Sequence, residues 1–273
     1  MHIEALEDLR QKAKDIRKLA LGAMGDYGEG HVGASLSMAD ILAVLYFGGK
    51  MRVDPENPTW QVRDRLVVSK GHGGPGVYAA LALKGFFPQD MLYTLNRKHT
   101  RLPSHCDMAR TPGIDQSTGS LGQGLSCALG QAIGLRLNGN TGSRVFCICG
   151  DGELQEGQNW EAMMLARQRR QDNLTVIIDV NHLQNSFSPD AYLEPLDKKL
   201  EAFIGRVIEI DGHDHAAIAE AVDRAAAYKD GPTAIIAHTV KAKGFVREGR
   251  ADVHYTKITP EEVTASFGII DAM

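Results

Sequence analysis

The chain has 273 residues, a formal net charge of -4, 43% hydrophobic and 23% charged residues, enough apolar content to build a sizeable core. The mild acidity and the lack of a basic block argue against nucleic acid as a partner. The charged opening, "MHIEALEDLRQKAKDIRKLA", argues against a signal peptide, and no apolar run approaches membrane-spanning length, which leaves a cytoplasmic location as the expectation.

Ile3, Leu6, Leu9, Ala13, Ile16 and Ala20 recur at helical spacing between charges, so the chain opens on an amphipathic helix. A glycine-rich loop follows, and Ser37 before "MAD" and an apolar run reads as a new helix start. "DRLVVSKGHGGPGVYAALALKG" reads as a short strand, a tight turn and a helix. "QSTGSLGQGLSCALGQAIGLRLNG" repeats that logic with a helix of small residues, which suits close packing and predicts burial. "RVFCICG", "NLTVIIDV", "RVIEIDG" and "PTAIIAHTV" are short Val- and Ile-rich runs that end in polar turns, several of them separated by helical stretches. This is the pattern of an α/β fold, a mostly parallel sheet with helices on both faces. With no linker or internal repeat, residues 1–273 are expected to form one domain. From about Arg247 the tail lacks periodicity and reads as a surface loop with a short terminal element. Cys106, Cys127, Cys147 and Cys149 form no CxxC pair and read as reduced thiols, with Cys147 and Cys149 on the same side of one strand.

Two polar residues hold equivalent places. Asp151, in "GDG", follows "RVFCIC", and Asn181 follows "NLTVIIDV" thirty positions later. A right-handed βαβ connection sets both on one sheet edge, where open α/β sheets bind ligands. There a carboxylate and an amide oxygen suit a hard cation such as Mg2+ or Ca2+, completed by phosphate oxygens, and Gly150 and Gly152 let backbone approach a diphosphate. Taken singly, each residue reads more readily as a turn former; the matched placement brings the metal reading level with the turn. "GEGHVG" at Gly28, Gly30 and Gly33 fits the dinucleotide fingerprint in spacing but follows a charged helix instead of a strand, so that reading fails.

"GDGELQEGQNWEA" with "DNLTVIIDVNHLQ" resembles the metal and cofactor motif of thiamine diphosphate enzymes, and of the transketolase family in particular. "GHVGASLSMADILAVLYF", "DRLVVSKGHGGPGVYAALALKGFFP", "SHCDMARTPGIDQSTGSLGQGLS" and "PTAIIAHTVKAKG" match the same family in the same order. The resemblance covers nearly the whole chain but only the first, diphosphate-binding domain of a full-length transketolase. It implies the N-terminal subunit of a split transketolase, with the pyrimidine-binding and C-terminal domains absent and supplied by a separate C-terminal subunit in a dimer of heterodimers. The implied reaction moves a two-carbon ketol unit from a ketose phosphate to an aldose. The resemblance also implies that the isolated chain lacks the glutamate that drives cofactor deprotonation, and so lacks useful turnover.

Residue by residue, the resemblance implies thiamine diphosphate and Mg2+ (or Ca2+), with metal ligands Asp151, Asn181 and the Leu183 carbonyl. Gly150, Gly152 and Asn181 would meet the diphosphate, and Gly119, Ser120 and Leu121 the aminopyrimidine. His31, His72 and His105 match active-site histidines, His72 also on the cofactor side. His254 matches a late family histidine, although Tyr255 follows it where the family has Gly. Glu156 and Glu161 match glutamates at subunit contacts, the former in an acidic network that joins active sites. Ser120 and Cys106 stand where many members have Pro. His2, His99, His182, His213, His215 and His238 are expected to be structural or surface groups, with "GHDHAA" a polar turn. Two other readings are carried along: a different thiamine diphosphate enzyme, of the deoxyxylulose-phosphate synthase or 2-oxo acid dehydrogenase kind, and a non-catalytic assembly homologue.

Overall fold

The computed structural model describes residues 3–184 and 193–273, so His2 lies outside the described residues. Its centre is a parallel sheet of five strands, β2 (Arg65–Val68), β3 (Val145–Gly150), β4 (Leu174–Val180), β5 (Arg206–Asp211) and β6 (Thr233–His238), in the order β2-β3-β4-β6-β5. A separate two-residue ribbon pairs β1 (Glu29–Gly30) with β7 (Thr256–Lys257) antiparallel. All the expected strands form; β2, β3, β4 and β6 are apolar runs that parallel pairing and flanking helices bury, while β5 at the sheet edge is only partly buried.

The two-residue side-chain period of the strands divides the core in two. Phe146 and Ile148 of β3 pack into one hydrophobic layer with α1 (Ile3–Tyr27), α3 (Ala39–Phe47), α4 (Gly74–Lys84) and α8 (His215–Ala227). Val145, Cys147 and Cys149 face the other layer, built on α5 (Gln123–Leu137), α6 (Gly157–Gln168) and α7 (Leu196–Phe203). Each buried Leu or Ile here contributes roughly 1.5–3 kcal/mol. Cys147 and Cys149 lie side by side in the second layer, sulfurs 3.7 Å apart, both free and fully buried. Among the described residues no helix is long and apolar enough to cross a membrane.

Three expectations need correction. The glycine-rich segment contains a helix, α2 (Val32–Ser37), and Ser37 ends it instead of starting the next one; α3 begins at Ala39 after Met38, with no side-chain cap. The Ser37 hydroxyl is drawn away by a stronger partner, the buried Asp179 carboxylate at 2.5 Å. The tail is more ordered than its pattern suggested. A full capping box at Thr259 and Glu262, with Pro260 in the first turn, starts the 12-residue α9 (Pro260–Asp271), which packs on α1. Finally, the small-residue helix α5 is buried on one face only, through Gly124, Ala128 and Ala132, while none of the described residues covers Gly130 or Gly134.

Candidate cofactor and active site

The parallel pairing of β3 with β4 sets Gly150 opposite Asp179, so both strands end at the same edge. Asp151 and Asn181 follow directly and line one cavity of about 320 Å³. Asp151 is buried; its Oδ1 accepts the N–H of Gly152 and its Oδ2 the N–H of His182, each at 2.7 Å. Burial and the neighbouring Asp179 carboxylate push Asp151 up to about 6, because desolvation and a like charge both disfavour the ionised form. Asn181 Oδ1 accepts the N–H of Leu183 at 3.2 Å, which folds the chain so that Leu183 also lines the cavity.

Two lysines enter the same cavity. Lys70 follows β2 and is buried, ion-paired with Asp179, and donates to the Ala34 carbonyl at 3.1 Å. Asp179 also accepts from Ser37 and Thr239, so this buried charge pair is fully hydrogen-bonded, the condition under which such pairs are tolerated. Lys241 follows β6 and donates to the Gln184 and Leu183 carbonyls at 2.7 and 3.3 Å. Burial lowers its ammonium below the ordinary lysine value. Glu153, buried beside them, binds three loops at once: its carboxylate accepts from the Ser69 hydroxyl at 2.5 Å, the Gly122 N–H at 2.7 Å and the Gly150 N–H at 3.1 Å. The turn 118–122 is thereby tied to the end of β3. Gly119 in that turn has φ +150, and a Cβ there would lie 3.3 Å from the His105 ring, so glycine is the residue that passes the histidine without strain.

Four histidines from four segments cluster beside the cavity, two of them, His72 and His254, in its lining. His31 lies at their centre, with ring centroids of His72, His105 and His254 at 5.4, 5.2 and 5.7 Å; His72 and His254 are 4.9 Å apart. Burial, His105 and His254 bring His31 down to about 4; burial and the two lysines do the same to His254. His72 is held well below 6.5 by burial and by Lys70, and His105 is lowered by burial. At neutral pH all four are neutral imidazoles, able to accept protons from hydroxyls and to give them back.

The residues fit a metal-bound diphosphate. The candidate ligands are all oxygen donors, as Mg2+ and Ca2+ prefer, and among the described residues no group of three His, Cys, Asp or Glu side chains offers a competing metal site. Gln184 Nε2 is a buried amide donor without a partner among the described residues and belongs to the cavity wall, as expected where an anionic oxygen would sit. A Cβ at Gly152 would come within 2.9 Å of the Gln184 side chain, so this wall also needs glycine.

Of the sequence-predicted residues, His72, Leu121, Gly150, Asp151, Gly152, Asn181, Leu183 and His254 line the cavity, with His31 and His105 joined to it through the ring cluster. Gly119 and Ser120 form the adjacent turn. Glu156 and Glu161 are not in the cavity; they are exposed at the start and on the outer face of α6, beside the exposed Met164 and Leu165. His213 and His215 depart from a plain polar turn. His213 Nδ1 lies 2.7 Å from Asp40 Oδ2, and His215 is buried against the same carboxylate, which Arg17 also grips. His238 meets expectation as an exposed group paired with Glu209. Sequence reasoning missed Lys70, Glu153, Asp179, Gln184 and Lys241. For both lysines the signal was the one used for Asp151: a polar residue one to three positions past a strand of the same parallel sheet.

The family described as "Transketolase, thiamine diphosphate binding domain" matches residues 9–268. A protein from Clostridium sp. (strain MSTE9), "6-deoxy-6-sulfo-D-fructose transketolase subunit SqwG", is 49% identical over 257 residues, covering 93% of this chain and 93% of its own. An apulose-4-phosphate transketolase subunit from Actinobacillus succinogenes is 39% identical over 264 residues, covering 94% of both. Among solved structures, the transketolase of Campylobacter jejuni superposes with a TM-score of 0.91 at 32% identity, over 99% of this chain but 43% of that one. The chain thus spans nearly the full length of these subunits and about two fifths of the solved transketolase.

Proposed function

The chain belongs to the transketolase family through its thiamine diphosphate-binding domain, and from that premise we propose that it is the N-terminal subunit of a split transketolase. It transfers a two-carbon ketol unit from a ketose to an aldose acceptor and works only with a separate C-terminal, pyrimidine-binding subunit in a dimer of heterodimers. The single observation that carries this reading is the convergence of Asp151 and Asn181, from adjacent strand ends, on a cavity lined by His72 and His254 and joined through them to a cluster of four histidines. On this reading residues 1–273 are one diphosphate-binding domain, and the enzyme is cytoplasmic.

Mg2+ or Ca2+ is held by Asp151, the Asn181 side chain and the Leu183 carbonyl. The diphosphate is met by Gly150, Gly152 and Asn181, with charge supplied by Lys70 and Lys241 and a donor by Gln184. Gly119, Ser120 and Leu121 present backbone to the aminopyrimidine. Once bound, the cofactor supplies the nucleophilic ring carbon and the electron sink that ketol transfer requires. The protein's own part is positioning and proton management. His31, His72, His105 and His254, kept neutral by burial, accept hydrogen bonds from sugar hydroxyls and take up or return their protons. Glu156 and Glu161, on an open helix face, meet the partner or a second copy. Both full-length relatives carry names of ketoses with an anionic group, a sulfonate in one and a phosphate in the other, so the donor is an anionic ketose.

The test is reconstitution. The two subunits with Mg2+ and thiamine diphosphate should convert an anionic ketose and an aldose to new sugars with the carbon count shifted by two. Saturation with cofactor and no ketol transfer from any anionic ketose would refute the activity.

A further inference from the structure

The antiparallel ribbon brings two distant aromatic rings together. Gly30 of β1 pairs with Thr256 of β7, so the next residues outward, His31 and Tyr255, stand opposite each other. Their ring centroids are 4.7 Å apart in an edge-on arrangement. The ribbon is braced from outside: the Ile258 N–H donates to the Gly28 carbonyl at 2.9 Å, and Arg247 binds the Thr256 hydroxyl, the Lys257 carbonyl and Glu262. Burial and the adjoining Glu29 carboxylate push the Tyr255 phenol up to about 12, so it stays a neutral donor. His31 is the hub of the histidine cluster, yet Tyr255, which covers it, is 44% exposed. One side of the tyrosine is thus set against His31 while part of the ring stays open to solvent in this chain.

We propose that Tyr255 is a specificity-determining residue, the outer wall of the donor channel, which packs its free ring against the carbon chain of a ketose beyond the two carbons transferred. The inference rests on the transketolase reading above. An aromatic ring with a polar tip suits such a ligand, whose carbon-bound hydrogens present an apolar face between hydroxyls. Because Tyr255 touches His31 but is absent from the cavity wall around Asp151, it acts on donor selection and not on cofactor uptake.

The experiment uses the reconstituted two-subunit enzyme and two donors. Fructose 6-phosphate has four carbons beyond the transferred fragment; hydroxypyruvate has only its carboxylate. Tyr255→Ala should lower kcat/KM for fructose 6-phosphate by about tenfold, the loss expected for one or two methylene groups of apolar contact. It should change hydroxypyruvate turnover and the calorimetric affinity for thiamine diphosphate by less than about twofold. Tyr255→Phe should retain the discrimination, since the ring remains. Equal losses on both donors would show that Tyr255 acts only through His31 or the fold and would overturn the proposal, as would no loss on either. A wild-type pair that binds the cofactor but transfers a ketol unit from no anionic ketose would overturn the transketolase reading itself, and this inference with it.

Discussion

The His182 backbone N–H donates to Asp151 Oδ2 at 2.7 Å, so the residue after β3 is latched to the turn after β4. One carboxylate therefore fixes the spacing of the two loops proposed to hold the metal. Asp151→Ala should abolish Mg2+-dependent binding of thiamine diphosphate to the assembled pair. The two N–H groups it leaves without an acceptor should cost about 1–3 kcal/mol of stability each. Calorimetry with circular dichroism checks both; unchanged cofactor affinity in a folded variant would refute the ligand assignment.

The buried Lys70–Asp179 pair lies under the same cavity. Lys70→Met strands a carboxylate in the core and should destabilise the chain by about 3–5 kcal/mol. Asp179→Asn combined with Lys70→Met should cost clearly less than the sum of the single changes, because the second change removes the stranded charge. Urea unfolding of the three variants measures the coupling. Strict additivity would mean that the two groups do not form the pair described.

The isolated chain should show no measurable ketol transfer with any cofactor and metal supplied, and the C-terminal subunit should restore it. Loss of a general acid or base alone costs about 10²- to 10⁴-fold, and on the proposed split the partner also supplies the pyrimidine-side walls. Robust turnover by the purified single polypeptide would disprove the split arrangement.

His31 should make the fold acid-sensitive. Burial, His105 and His254 hold it at about 4, below the ordinary 6.5. As the pH falls, the unfolded chain therefore binds the proton first. This contribution to stability is complete above pH 6.5 and drains away between pH 6.5 and about 4. In His31→Gln the decline of Tm across that window should be shallower than in the wild type. Parallel Tm–pH curves for the two proteins would refute a depressed His31.

The strands were legible because parallel strands flanked by helices must be apolar through most of their length, and Asp151 and Asn181 were legible because polar residues just past such strands stand out. The histidines at positions 31, 72 and 105 could be selected only by resemblance, since nothing in a local window brings them together. Lys70 and Lys241 show what local patterning hides: a lysine reads as solvated until the fold supplies a buried carboxylate, Asp179, or a pair of carbonyls for it. Likewise Ser37 looked like a helix cap, because its competing acceptor is 142 residues away. The chain's own succession of apolar runs and helical stretches thus determined the sheet and the edge where ligands would bind. Only the tertiary structure decided which charges pair, which imidazoles meet and where Tyr255 stands, because those depend on strand order and ribbon register, which bring residues distant in the chain within a few ångströms.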